Sequence, residues 1–164
     1  MKKLTAILIL TILTAVMFGS CGEGNTYKTD VAAADISAAY KPLIENGSAL
    51  TEMTADYVNS SMQIPTDKCS EFVVCVPAAG ATFDEYGIFK AAAEADVETI
   101  ITAVEEYIAR RAGDKLALSY VEEDAPNVTG AEVKVAGLYI TYAMLDEAES
   151  SAVYEAFEAA LKQN

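Results

Sequence analysis

The strongest nucleophiles in this chain are its three cysteines, Cys21, Cys69 and Cys75, and there is no histidine to activate any of them. Triads of the Ser-His or Cys-His kind are excluded, because their general base is an imidazole. The same absence removes the commonest nitrogen ligand for zinc, and no two cysteines stand at CxxC spacing, so no metal centre is expected. Cys69 and Cys75 lie six positions apart. On extended backbone their Cα atoms would be roughly 20 Å apart, whereas a disulfide needs about 4.4–6.8 Å. The spacing favours two separate, buried or half-buried thiols; a bridge would require the chain to turn just after Cys69.

Carboxylates are the remaining reactive groups, 25 acids against 11 bases. Paired carboxylates can do acid–base work, but at this density some pair always lies nearby and carries little information. Glu122-Glu123-Asp124 lacks the spacing and the glycine of an EF-hand loop and reads as a solvated loop. Gly80, Gly87 and Gly137 are isolated, so no phosphate-cradling loop is present and no cofactor is expected. A net charge of −14 argues against nucleic acid, whose phosphates need Lys and Arg, and against docking on anionic lipid headgroups.

Cys21 has a setting of its own. Lys2 and Lys3 precede an uncharged run from Leu4 to Phe18. That run is shorter than the ~20 apolar residues a spanning helix needs, and it matches the apolar core of an export signal. Phe18-Gly19-Ser20-Cys21 resembles a bacterial lipobox, in which small residues precede a cysteine that receives a diacylglyceryl thioether and becomes the mature N-terminus. Acyl chains contribute about 0.8 kcal/mol per buried CH₂, so one chain holds marginally and two or three hold stably. The competing readings are an ordinary secretory signal with Cys21 as a bystander, or a retained membrane helix. Removing residues 1–20 strips two lysines and no acid, which takes the net charge to −16. Residues 21–30, polar and glycine-rich, read as a flexible tether. Residues 31–164 suffice for one domain.

The elements that would position these groups follow from periodicity. Asp30 can cap a helix over Val31–Lys41, which Pro42 should stop. A short helix is expected over Glu52–Asn59. The β-branched run Glu71–Val76, bounded by Pro77, reads as a strand, and Asp84–Ala91 as its antiparallel partner. From Asp96 a helical stripe runs through Val97, Ile100, Ile101, Val104, Tyr107 and Ile108, ending near Gly113 or running on towards Leu118, with Arg110, Arg111 and Lys115 suiting the helix dipole. Residues 121–130 read as a polar loop, Glu132–Val135 and Tyr139–Leu145 as strands joined at Gly137. Asp146 and Glu149 have capping-box spacing ahead of a final helix striped by Val153, Ala156, Phe157, Ala160 and Leu161. The expected class is α+β: one antiparallel sheet of about four strands in ββαββα order, two long helices on one face, preceded by one or two N-terminal helices that could cover the other face.

The order of elements, together with Asp84-Glu85-Tyr86-Gly87-Ile88-Phe89-Lys90-Ala91, the YIARR end of the middle helix, the aromatic Tyr120 and GLYITYAMLD before the last helix, resembles the DUF4358 family over roughly residues 28–162. These are small lipoproteins, mostly of Firmicutes and other anaerobic bacteria. The family's tyrosine-then-proline departs here, since Tyr120 is followed by Val121 and the nearest proline is Pro126. The resemblance implies no assigned activity and carries over no catalytic residue.

The expected function is therefore a non-enzymatic interaction module, held by lipid at Cys21 to the outer face of the cytoplasmic membrane and presenting a sheet surface or edge to an envelope protein. The alternative is a small-ligand or cation-binding lipoprotein; an enzyme is the least supported. Glu85, Tyr86, Lys90, Tyr139 and Tyr142 are the candidate interaction surface. Glu85 and Lys90, five apart on a strand, face opposite ways, and Glu85 could meet Arg110 or Arg111; strand tyrosines at such positions otherwise serve packing. Replacing Cys21 by Ser should abolish incorporation of radiolabelled fatty acid and release the protein to the medium or leave it unprocessed, whereas unchanged labelling would dismiss the anchor.

Overall fold

The computed structural model describes residues 27–78 and 82–163; the leader, Cys21 and the first part of the tether lie outside them. The chain enters through α1 (Ala33–Tyr40) and reaches β1 (Leu50–Glu52) and α2 (Ala55–Tyr57), which continues as a π-helical turn over Val58–Met62. Then come β2 (Cys69–Pro77), β3 (Glu85–Ala91), α3 (Glu94–Gly113), the short α4 (Lys115–Leu118) and α5 (Ala125–Thr129), β4 (Val133–Ala136), β5 (Tyr139–Met144) and α6 (Glu147–Leu161). The strands form one sheet of order β1-β2-β3-β5-β4, every pair antiparallel. The α+β class and the single antiparallel sheet hold. The sheet has five strands, because the three-residue β1, too short to show an alternation, adds to the edge of β2.

The placement of the long helices is corrected. The two long helices do not share a face. α6 packs its Val153, Phe157 and Leu161 against Val73, Cys75, Tyr86, Ile88, Tyr139 and Ala143, with α1 beside it. α3 packs Ile100, Val104 and Tyr107 against Val74, Phe89, Ala91, Ile140, Tyr142 and Met144, on the opposite face. The reason lies in the two central strands. Tyr139–Met144 is buried at all six positions, and Glu85–Ala91 at all but Lys90. A strand apolar on both faces needs cover on both, and burying each large apolar side chain is worth about 1.5–3 kcal/mol. α1 therefore joins α6 and does not cover a bare face alone.

Local chemistry sets the ends. Asp146 caps α6, its carboxylate accepting from the Glu149 N–H at 2.8 Å. α1 is not capped by Asp30: its N-cap is Ala32, which offers no side-chain oxygen. The carboxylate comes instead from β2, where Glu71 Oε2 accepts from the Ala33 N–H at 2.9 Å. That bond holds the Glu71 carboxyl below its ordinary range, helped by Lys90. Residues 121–130 are not wholly a loop, since α5 forms there and buries Val128 completely. Ahead of α1, Tyr27 bridges to Lys162 and the Lys28 N–H donates to Leu161 O at 2.8 Å. Gly137, at φ +60°, opens the two-residue turn between β4 and β5, a position glycine occupies without strain.

Gly87 is the tightest point of the sheet. It stands across from Tyr142 in register, and a Cβ there would fall 2.3 Å from Tyr142 Cε1. The tyrosine ring lies flat on β3 because that position has no side chain. Gly87→Ala should cost about 1–3 kcal/mol through overpacking, read as a lower urea midpoint. Gly113→Ala, where a Cβ would meet nothing within 4 Å, should leave the midpoint unchanged or raise it.

Candidate functional site

The residues picked from the sequence come together, but inside the fold. Glu85 is 2 % exposed and Tyr86, Tyr139 and Tyr142 are fully buried, so they do not make an interaction surface. They fall on two faces, as the strand alternation requires. Glu85 and Tyr142 lie beneath α3; Tyr86, Lys90 and Tyr139 lie beneath α1.

On the α3 face, Glu85 Oε1 accepts from the Tyr142 hydroxyl at 2.7 Å, and Oε2 accepts from the Tyr107 hydroxyl at 3.0 Å and from Arg111 at 3.4 Å. The tyrosine rings cross edge to face at 6.0 Å, and the Arg111 guanidinium stacks on Phe83 at 4.4 Å. Of the two arginines weighed for this role, Arg111 takes it. Arg110 instead donates to the Met62 carbonyl and fastens the π-helical turn to α3. Burial raises the Glu85 carboxyl above its ordinary range, and the bonds from Tyr142, Arg111 and Tyr107 offset this only in part. Burial likewise pushes the hydroxyls of Tyr107 and Tyr142 up. The carboxylate and the two hydroxyls are spent on one another and on Arg111, whose Nε is buried with no hydrogen-bond partner among the described residues.

On the α1 face, Lys90 donates to Glu71 Oε1 at 3.0 Å and to Val31 O at 3.4 Å. Tyr139 donates to the same Val31 carbonyl at 2.7 Å, the Tyr86 hydroxyl bonds Ser37 Oγ at 2.8 Å, and that of Tyr40 bonds Thr141 at 3.2 Å. These polar contacts fix α1 against the sheet. Cys69 and Cys75 are unbridged, half-buried and buried respectively. Burial pushes the Cys69 thiol up to about 12, which leaves it protonated and unreactive at neutral pH.

Three surface features remain. An acidic pocket of about 270 Å³ gathers Glu45, Asp84, Glu123, Asp124, Asp146 and Glu149. Three of these carboxylates already serve backbone amides: Asp124 accepts from Phe83, Glu149 from Glu45, and Asp146 from Glu149. Burial, with neighbouring acids adding to it, raises the Asp84 and Glu149 carboxyls. No group of three or more carboxylates or thiols among the described residues is placed to share a metal ion. Leu116 and Tyr120 are 69 % and 80 % exposed and stand four apart.

The third feature was not visible in the sequence. It is the edge of β4, unpaired among the described residues, where Val135 is 44 % exposed. A groove of about 610 Å³ runs along one side, between β4 and α6, lined by Glu132, Lys134, Glu147, Tyr154, Glu155 and Glu158 among others. A second, of about 470 Å³, lies on the other side against α3, lined by Ile108, Ala109, Ala112 and Val133 among others. Reading strand order from the chain would have been the signal, and Gly137 gives only the β4–β5 pairing.

The raised Glu85 carboxyl sets a pH dependence. The folded state binds its proton more tightly than the unfolded state does. Its contribution to stability is therefore greatest below the ordinary value of 4.5 and declines as pH rises through the folded value. Glu85→Gln removes this response, so urea unfolding across a pH series should show the variant gaining on the wild type as pH rises from about 4.5. A constant difference between the two would refute it.

The family model described as "Domain of unknown function (DUF4358)" matches residues 44–145. No curated protein and no solved structure matches the chain. The matched span holds all five strands and α3 and leaves out α1 and α6. The chain belongs to the DUF4358 family.

Proposed function

We propose that this protein is a lipid-anchored extracytoplasmic module that binds another envelope protein and performs no catalysis. The observation that supports the reading best is the division of its chemistry. The buried carboxylate and tyrosines are committed to each other and to Arg111, while the β4 edge, unpaired among the described residues, lies between two grooves. An open edge offers main-chain donors and acceptors for a further strand, and flanking pockets supply selectivity. The leader and Cys21 account for the location, and a short polar stretch after Cys21 would hold the body close to the membrane. No helix among the described residues is long and apolar enough to cross a membrane; the reading assigns attachment to lipid at Cys21. The cation-binding alternative draws on the acidic pocket, three of whose carboxylates are occupied as helix or loop caps.

Intact cells expressing the full chain with a photo-crosslinking residue at position 135 should yield one discrete adduct, and external protease should digest the body while a cytosolic marker survives. A protein with its leader intact and its body protected in the cytosol would overturn the reading.

A further inference from the structure

The open edge has a polarity of its own. A two-residue hairpin loop closes on a hydrogen-bonded pair, here Ala136 with Tyr139, and such pairs alternate along an antiparallel ladder. Lys134 with Thr141 is the next, which turns the amides and carbonyls of Val133 and Val135 outward. No described residue bonds to them. Exposed edges are commonly guarded by a projecting lysine, but Lys134 is folded back: it bonds Glu132 and lies 5.3 Å from the Tyr154 ring centroid. The two sides of the edge differ in chemistry. Towards α6 the groove carries Glu147, Glu155 and Glu158, all exposed, with Lys134 as its one cation, already paired to Glu132. Towards α3 it carries the apolar Ile108, Ala109, Ala112, Ala131 and Val133, with Glu105 and Glu132 also in its lining.

We infer that the β4 edge takes an extended segment of a partner protein in which basic residues alternate with apolar ones. An added strand places successive side chains on opposite faces. Those beside Lys134 reach the glutamates of α6, and those beside Val133 and Val135 reach the apolar strip of α3. Charge selects this occupant over the others. A second copy would set the same glutamates against themselves in a chain of net charge −14, and the chain's own residues 22–26, Gly-Glu-Gly-Asn-Thr, contain no cation. The inference rests on the binding-module reading and names the partner chemistry for it.

The test uses the full-length chain, ¹⁵N-labelled and held in detergent micelles, titrated with a peptide of about nine residues alternating Lys and Val, long enough to span the edge. Amide exchange at Val133 and Val135 should slow on binding. The double variant Glu155→Lys, Glu158→Lys, altered on exposed positions of α6, should weaken binding about tenfold, and a peptide alternating Glu and Val should not bind. Protection elsewhere, equal binding by a peptide of the same composition with its lysines in one block, or an undiminished affinity in the double variant would each overturn the inference. So would protection of Val133 and Val135 by self-association without peptide. Failure here, with a discrete adduct still formed on cells, removes the partner chemistry and leaves the module; a cytosolic location removes the module and leaves the peptide result standing.

Discussion

A carboxylate placed in an apolar layer must be met by donors or it will not stay there, and Glu85 is met by three. Its two oxygens collect the hydroxyls of Tyr107 and Tyr142 and the guanidinium of Arg111. These partners come from α3 and β5, so one side chain ties the central strand pair to the long helix above it. Leaving such a group unpaired would cost more than each bond contributes net. The arrangement depends in turn on Gly87. Only a residue without Cβ lets the Tyr142 ring lie across β3 and carry its hydroxyl back to Glu85. The EYG stretch is thus a device for burying one acid, and Arg111, half exposed and stacked on Phe83, closes it towards solvent.

The opposite face solves a different problem with similar means. Its helices bring few polar groups of their own, so strand residues supply them. Glu71 caps α1 from across the fold, and Tyr86 and Tyr139 reach Ser37 and the Val31 carbonyl. Lys90 joins the same carbonyl to Glu71. The residues that look most functional in the sequence are those that fasten helices to the sheet. This is why the charged and aromatic strand positions carry no surface, and why function moves to the edge. The sheet has two edges, and the β4 side is flanked by two grooves, one rich in the glutamates of α6 and one with Ile108, Ala109 and Ala112 of α3 beside Glu105 and Glu132.

Much of the secondary structure was legible because its signals are local. The α3 stripe, the Asp146–Glu149 cap, the turn at Gly137 and the central strands depend on residues a few positions apart. The misread pieces lack such signals. β1 is three residues long, α5 sits among Asp, Pro and Asn, and the cap of α1 is supplied from 38 residues away. The opposite-face placement of Glu85 and Lys90 was correctly read, since strand alternation is a period of two. Between Arg110 and Arg111 as partners of Glu85 the sequence left the choice open, because one helical step of 100° decides it and only the docking of α3 fixes that angle.

By itself the sequence determined the class of the fold, the order of its main elements and the lack of an imidazole for catalysis, all of which follow from composition and short-range pattern. Tertiary structure alone decided that the long helices lie on opposite faces, that the candidate residues are buried, and that β5 inserts beside β3 to leave β4 at the rim. Those outcomes turn on which distant surfaces meet, and each meeting depends on apolar faces and buried polar groups being satisfied together, a condition no local stretch of chain encodes.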